Sequence, residues 1–416
     1  MQNSTAERVN PVSRHLPQLT GASNASTSRL REVAGLFLKL GLISFGGPAA
    51  HIALMEEEVV HKRQWVTRQQ FLDMLGAANL IPGPSSTELA INIGFVRAGW
   101  MGLCAAGASF ILPAALITAA FAWAYVRFGS TANAVAMLAG VKPAVLAVIA
   151  IAIWRLGKVA VRGMELAILG AIALVAFLVG LNPIAILLGG GALGVIVIRW
   201  QAGFRAGGIS LVTSLIPPIG SWFAAWHGVA VATAASSAAT ARPSTWKIGL
   251  FFLKVGALLY GGGYVLLAFL EQGLVHQNTW LTQKQLLDSV AIGQFTPGPV
   301  FSTATFIGYL LGGAPGAAVA TVAIFLPSFL YVALLAPVLF KLRQSPWMAA
   351  FLDSVNVCAV ALMVGVTYQL GADALRSWHA WIIALVALAI LWRWKLIPAW
   401  IVLAGGIAGV LLAHIG

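Results

Sequence analysis

Long apolar runs separated by short polar stretches are the feature that most constrains this chain, with examples at residues 145–154 and 166–181. Only 9% of its 416 residues are charged and 60% are hydrophobic. A soluble domain carries near 25% charged residues because its surface must face water. A chain this poor in charge cannot cover such a surface, so lipid must cover it. In hydrocarbon every backbone N–H and C=O has to be paired internally, which leaves helix bundles or closed barrels. Barrel strands alternate apolar and polar residues, whereas these runs are continuous. The expected fold is an all-α polytopic membrane protein.

The second constraint is internal. Phe37-Leu38-Lys39 returns as Phe252-Leu253-Lys254, an offset of 215 residues. At that offset Gly46-Gly47 returns as Gly261-Gly262, Glu56 as Glu271, His61 as His276, and Trp65, Thr67, Gln70 and Asp73 as Trp280, Thr282, Gln285 and Asp288. Pro82-Gly83-Pro84 returns as Pro297-Gly298-Pro299. After one deletion, Gly94, Gly99 and Pro113 match Gly308, Gly313 and Pro327. The chain is a tandem duplication. Residues 1–32 are expected to be a disordered tail, 33–206 the first repeat, 207–245 a linker with a candidate span at 209–235, and 246–416 the second repeat.

Each repeat reads as six apolar segments, giving 12–13 spans in all. The first carries a Lys near its start and a Gly-rich break. A polar connector follows (56–70 and 271–285), then a segment interrupted by Pro-Gly-Pro, then one with an interior Pro. Six spans, one linker span and six more invert the second repeat relative to the first, a plan recurrent in secondary transporters with the substrate at the repeat interface. Alternating such spans from a cytoplasmic tail places the more basic connector (Lys62, Arg63, Arg68) outside, against the positive-inside rule. Re-entrant first segments would remove that conflict; orientation stays open at this level.

The formal charge of +13 invites a nucleic-acid reading, but the bases are scattered in small groups between apolar runs, so no nucleic-acid partner is expected. Trp65, Trp154, Trp200, Trp246, Trp392 and Trp394 flank apolar runs beside basic residues, as interfacial belts contacting membrane lipids do. Cys104 and Cys358 make neither a metal pattern nor a disulfide framework. No metal or cofactor is expected. No Gly-rich phosphate loop followed by Lys-Ser/Thr is present, so the chain carries no ATP motor of that kind, and no enzyme constellation stands out.

The sharpest motifs are the two Pro-Gly-Pro breaks. A Pro inside a helix removes an N–H and clashes with the preceding turn, at about 3 kcal/mol. Lipid cannot satisfy the freed groups, so each break must face protein, water or a ligand. The N–H groups after the breaks, at Ser85, Ser86 and Thr87 and at Val300, Phe301 and Ser302, would form half-helix N-termini that attract anions. Thr303 adds a hydroxyl. A plain kink packed on a neighbour is the alternative. Lys39 and Lys254 sit inside apolar segments at equivalent positions and together match a dianion, or else snorkel to the interface. Arg97 has no counterpart, Leu311 standing in its place. Glu88, just past the first break, is a candidate for a coupling proton, with Glu56 and Asp73 behind it. Asn79 and Gln294, three residues before the two breaks, are candidates to bond freed backbone groups or the substrate.

The motifs FGGP at 45–48, PGP at 82–84 with RAGW at 97–100, GGGY at 261–264 and TPGPVFSTATFIGYL at 296–310 resemble the chromate transporter family, in its long two-domain form. That resemblance covers nearly all of the chain after the tail. It implies a bacterial inner-membrane protein that exports chromate, a sulfate-like tetrahedral dianion, and confers chromate resistance. It draws the glycines Gly46, Gly47, Gly261, Gly262 and Gly263 into the substrate-binding set. One departure bears on selectivity: family members often carry Gln where this chain has Asn79. The alternatives are a transporter of sulfate or another small oxyanion and, from another class, a membrane-embedded lipid enzyme. Energy source, direction of transport and assembly into a homo-oligomer stay open.

Overall fold

The computed structural model describes residues 22–45, 47–205, 243–260, 263, 265–335, 346–394 and 396–415. The first half contains α1 (Ala22–Ile43), α2 (Pro48–Glu56), α3 (Arg68–Ala78), α4 (Ser85–Phe128), α5 (Ala132–Ala160), α6 (Met164–Leu178) and α7 (Pro183–Arg205). The second contains α8 (Thr245–Leu258), α9 (Leu266–Leu270), α10 (Gln283–Phe295), α11 (Thr303–Leu335), α12 (Pro346–Ala374), α13 (Trp378–Arg393) and α14 (Pro398–Ile415). Among the described residues there is no strand. Residues 22–32, expected in the tail, form the start of α1, while 1–21 and the linker at 206–242 lie outside the described residues.

The duplication is visible turn by turn. Thr67 and Thr282 each accept the N–H of the Gln three residues on, and that Gln bonds back, so the same capping box opens α3 and α10. A π-helical turn precedes each box, at Glu57–Lys62 and Glu271–Gln277. Gln64 and Thr279, equivalent residues, are the two described non-glycines with positive φ.

The first two apolar segments of each half are not single crossings. Lys39 on α1 meets Glu58 beyond α2 at 2.8 Å, although 19 residues separate them. Had the segment run straight, about 1.5 Å per residue would put them far apart. The segment is therefore a hairpin that turns back at residues 44–47. Arg97, at the end of the helix that follows the Pro-Gly-Pro break, lies 5.0 Å over the Trp65 ring, just before α3 begins. Arg97 also pairs with Glu32, midway along α1, at 2.7 Å. So the second segment is a hairpin as well, with its tip at Pro82-Gly83-Pro84.

The 44-residue α4 folds back again. Straight, it would run about 66 Å, twice a hydrocarbon core of about 30 Å. Ala98 and Gly99 leave the helical region, with Gly99 at φ 62°, and the backbones of Gly94 and Gly102 touch across the reversal. Gly312 and Gly313 repeat this, with Gly313 also at φ 62° and Gly308 touching Gly316. A side chain at either pair would hold the arms apart. Only then does the chain cross: the long arm of α4 ends near Tyr125, whose hydroxyl donates at 2.8 Å to Asp288 near the start of α10.

That contact fixes the inversion. The first-half hairpins open toward the face bearing Glu32, Glu58, Trp65 and Arg97; the second-half hairpins open toward the opposite face. The halves interlock behind them. α5 packs against α13 and α14, and α12 against α6 and α7. Gly140 on α5 lies against the backbone of Gly405 and Gly409 on α14, and Gly190 and Gly194 on α7 against Cys358 and Ser354 on α12. Because the first hairpins do not cross, the basic connector stays on the same face as the start of α1. The conflict with the positive-inside rule disappears. Single cysteines at Arg68 and Lys284, one in each connector region, are expected to react with an impermeant thiol reagent from opposite sides of the membrane. Labelling of both from one side would refute the inversion.

Candidate anion site at the crossed breaks

The tips of the hairpins meet in the interior. The Gly83 N–H donates to the carbonyl of Leu259 at 2.8 Å, and the Gly298 N–H to the carbonyl of Ser44 at 2.8 Å. Leu259 and Ser44 are repeat equivalents at the ends of α8 and α1. Each break is thus tied to the other half. Gly83 and Gly298 take φ of 135° and 86°, and Gly83 lies against Glu88 and Ser328 where a Cβ would have to sit. Pro82, Gly83, Pro84, Pro297, Gly298 and Pro299 are all buried.

Two of the N–H groups assigned above to a ligand are taken up internally. Thr87 N–H donates to Pro84 O at 2.7 Å and Ser302 N–H to Pro299 O at 3.0 Å. Those of Ser85 and Ser86, and of Val300 and Phe301, have no acceptor among the described residues. The first-half tip is rich in polar groups. His51, 1% exposed, stands between Ser86 Oγ at 3.3 Å and the Ser44 carbonyl at 3.1 Å. A carbonyl can only accept, so Nε2 carries the proton and Nδ1 accepts from Ser86 in the neutral ring. Glu88 is fully buried and accepts from the Ser328 hydroxyl at 3.2 Å across 240 residues of sequence. Ser44 Oγ, Thr87 Oγ1 and Glu88 Oε2 are buried and have no partner among the described residues. An orphaned buried polar atom costs about 1–3 kcal/mol, so three at one tip mark a place prepared for something polar.

The second-half tip is different. Leu259, Leu266, Phe301 and Thr303 stand where the first half has Ser44, His51, Ser86 and Glu88. Thr303 satisfies itself on Val300 O at 2.9 Å, and Thr296 on Gly293 O at 3.0 Å, with Ser302 Oγ 3.5 Å away. The second half supplies Ser328 and its Pro-Gly-Pro backbone to a site whose side chains come mainly from the first.

Most of the remaining candidates lie away from the tips. Lys39 is half exposed and paired to Glu58, with Lys62 and Arg63 beside the same carboxylate at 3.6 and 3.4 Å. Lys254 is exposed on α8 and makes no ion pair among the described residues. Each lysine stands five residues before its tip, on arms that open to opposite faces. Arg97 ties α1 to the hairpin base. Glu56 pairs with Arg68 at 3.4 Å, and Asp73 accepts from Gln69 at 3.1 Å. Asn79 caps α3 and is exposed, whereas Gln294 borders a small internal cavity with Gly263, Val300 and Thr303. Gly47 caps α2 with φ 81°; Gly46, Gly261 and Gly262 lie outside the described residues. Sequence reasoning did not single out Ser44, His51 and Ser328. Their signal was a polar residue inside an apolar segment, weak until the tips are seen to converge.

A sequence profile described as chromate transporter matches residues 31–195 and again 246–410, two copies offset by the repeat length. The chain belongs to the chromate transporter family. The transporter is 35% identical over 96% of its length to a chromate transport protein of Cupriavidus metallidurans, covering 97% of that protein. It is 34% identical to a probable chromate transport protein of Synechococcus elongatus (92% of this chain, 95% of the relative). It is 31% identical to a chromate transport protein of Pseudomonas aeruginosa (90% and 91%). No solved structure matches it. The transporter is a multi-pass membrane protein. At the basic face the rings of Trp154 and Trp392 lie 5.4 Å apart, with Lys158 4.6 Å over the Trp154 ring.

Proposed function

We propose that the transporter exports chromate across the bacterial inner membrane, confers chromate resistance, and holds the dianion at the crossed breaks. The observation that carries this reading is the set of unpaired donors at the first tip. The N–H groups of Ser85 and Ser86 open a half-helix, and the hydroxyls of Ser44 and Thr87 and the His51–Ser86 pair lie beside them. Helix N-termini hold oxyanions by such N–H groups without needing a full cation. Lys39 and Lys254, one on each arm, would draw the anion toward the tips from either face. The positive-inside rule, applied to Arg97 and the basic connector, supports a cytoplasmic first-half face. Glu88 must be neutral beside a dianion, since two like charges in a low-dielectric interior repel strongly. It is therefore the proposed carrier of a coupling proton, ahead of Glu56 and Asp73 in the connectors.

Purified protein in liposomes tests the reading. Chromate flux is expected, inhibited by sulfate and driven by a pH gradient, with the pH drive lost in Glu88→Gln. Lys39→Gln should weaken apparent affinity only a few-fold, as for an exposed charge worth roughly 1 kcal/mol. Sulfate flux without chromate flux would favour the other oxyanion reading, and lipid turnover without flux would overturn transport.

A further inference from the structure

The two halves share a sequence plan but are not in the same state. Asp288, on α10 of the second half, is fully buried. Its carboxylate meets two residues of the first half: Oδ2 accepts from the Tyr125 hydroxyl on α4 at 2.8 Å, and Oδ1 lies 3.2 Å from the Lys142 ammonium on α5, an ion pair without a directed hydrogen bond. The equivalent Asp73 on α3 is partly exposed and bonds Gln69 on its own helix. Asn356, exposed on α12, occupies the place of Lys142. The backbones agree. α10 packs on α11 as α3 packs on α4, but α10 packs equally on α5 and α14, and α9 packs on α12. Glu271 is fully buried, with Gln283 at 3.4 Å and His276 at 3.8 Å, while its equivalent Glu56 is partly exposed. The pocket that α9 and α10 share with Ile149 of α5 has a volume of only about 10 Å³, room for one water at most.

In inverted-repeat transporters, alternating access comes from rocking or gating of one repeat against the other around a fixed site. The tighter half marks the shut side. We infer that Asp288, Lys142 and Tyr125 form a latch that holds the face opposite the basic one shut. The inference rests on the transport reading above. A buried carboxylate left without its cation is strongly unfavourable, so the far side can open only when water enters as the pair parts. The facing position on the basic side carries Asn356 in place of a cation, and closure there lacks the same hold. The resting transporter is accordingly biased to the form seen here.

The test reads accessibility, without chromate, so it fails or succeeds separately from the substrate assignment. Full-length protein with Cys104→Ala and Cys358→Ala receives a single cysteine, either Asn356→Cys or Gln294→Cys, and is treated with an impermeant thiol reagent. The expected result is reaction at Asn356→Cys and protection at Gln294→Cys. Adding Asp288→Asn or Lys142→Gln should raise reaction at Gln294→Cys by at least about tenfold, as for a shifted two-state population, and lower it at Asn356→Cys. The swap Asp288→Lys with Lys142→Asp keeps both charges and should restore protection. Unchanged labelling in variants that elute like the parent, or a swap that does not protect, would each overturn the latch.

Discussion

Replacing both prolines of the first break, Pro82→Ala with Pro84→Ala, is expected to abolish transport in protein that still inserts. The prolines stop α3 from running into α4, and the stop leaves the N–H groups of Ser85 and Ser86 without a helical acceptor. With alanines the helix can continue through Gly83. Those two donors would then be consumed, and the Gly83 bond to Leu259 that ties the tip to the other half would be lost. A hydrogen bond to a charged group contributes about 1.5–3 kcal/mol, so losing two should weaken anion binding by more than about a hundredfold, at tenfold per 1.4 kcal/mol. The measurement is chromate uptake into inverted vesicles with expression matched. Flux at the unsubstituted rate would reduce the motif to a packing kink.

The second large effect concerns assembly. Gly140→Leu is expected to destabilise the protein by about 3 kcal/mol or more, because a Cβ there would meet the carbonyl of Gly405 and the backbone of Gly409. Lipid gives helices no hydrophobic reason to associate, so close backbone packing is what joins α5 to α14 across the two halves. The apparent Tm followed by size-exclusion chromatography should fall by roughly 10 °C, at a few degrees per kcal/mol. Gly189→Leu on α7 is the control, since nothing lies within 4 Å of a Cβ at that position. Equal loss in both would mean that the effect is generic to glycine replacement in a helix.

Much of this architecture was legible in the residues. Low charge and continuous apolar runs decided for helices in lipid, because water would not tolerate that surface and lipid would not tolerate unpaired backbone. The repeated Phe-Leu-Lys, Trp-x-Thr-x-x-Gln and Pro-Gly-Pro patterns established the duplication, and local rules made the same capping boxes and breaks twice. These are statements about neighbours in sequence, and composition and spacing carry them.

Which segments cross was a different matter. An apolar segment of hairpin length and one of spanning length have the same hydropathy, so 33–55 and 71–96 read as spans. Only the ion pair of Lys39 with Glu58 and the stacking of Arg97 on Trp65 reveal that both turn back. The same holds for the site. Lys39 and Lys254 drew attention as charges in apolar sequence, yet folding placed them on arms opening to opposite faces, while Ser44 and His51 of the first hairpin and Ser328 of α11 converged at the tips. Composition and repeat pattern by themselves determined a duplicated helical membrane protein with two prepared breaks. The tertiary structure decided that the breaks cross, and that one half's tip holds unpaired buried side-chain oxygens while the hydroxyls of Thr296 and Thr303 at the other are satisfied. Such decisions depend on contacts between residues more than a hundred positions apart, as with Tyr125 and Asp288, and no local pattern encodes which distant partner a buried group will find.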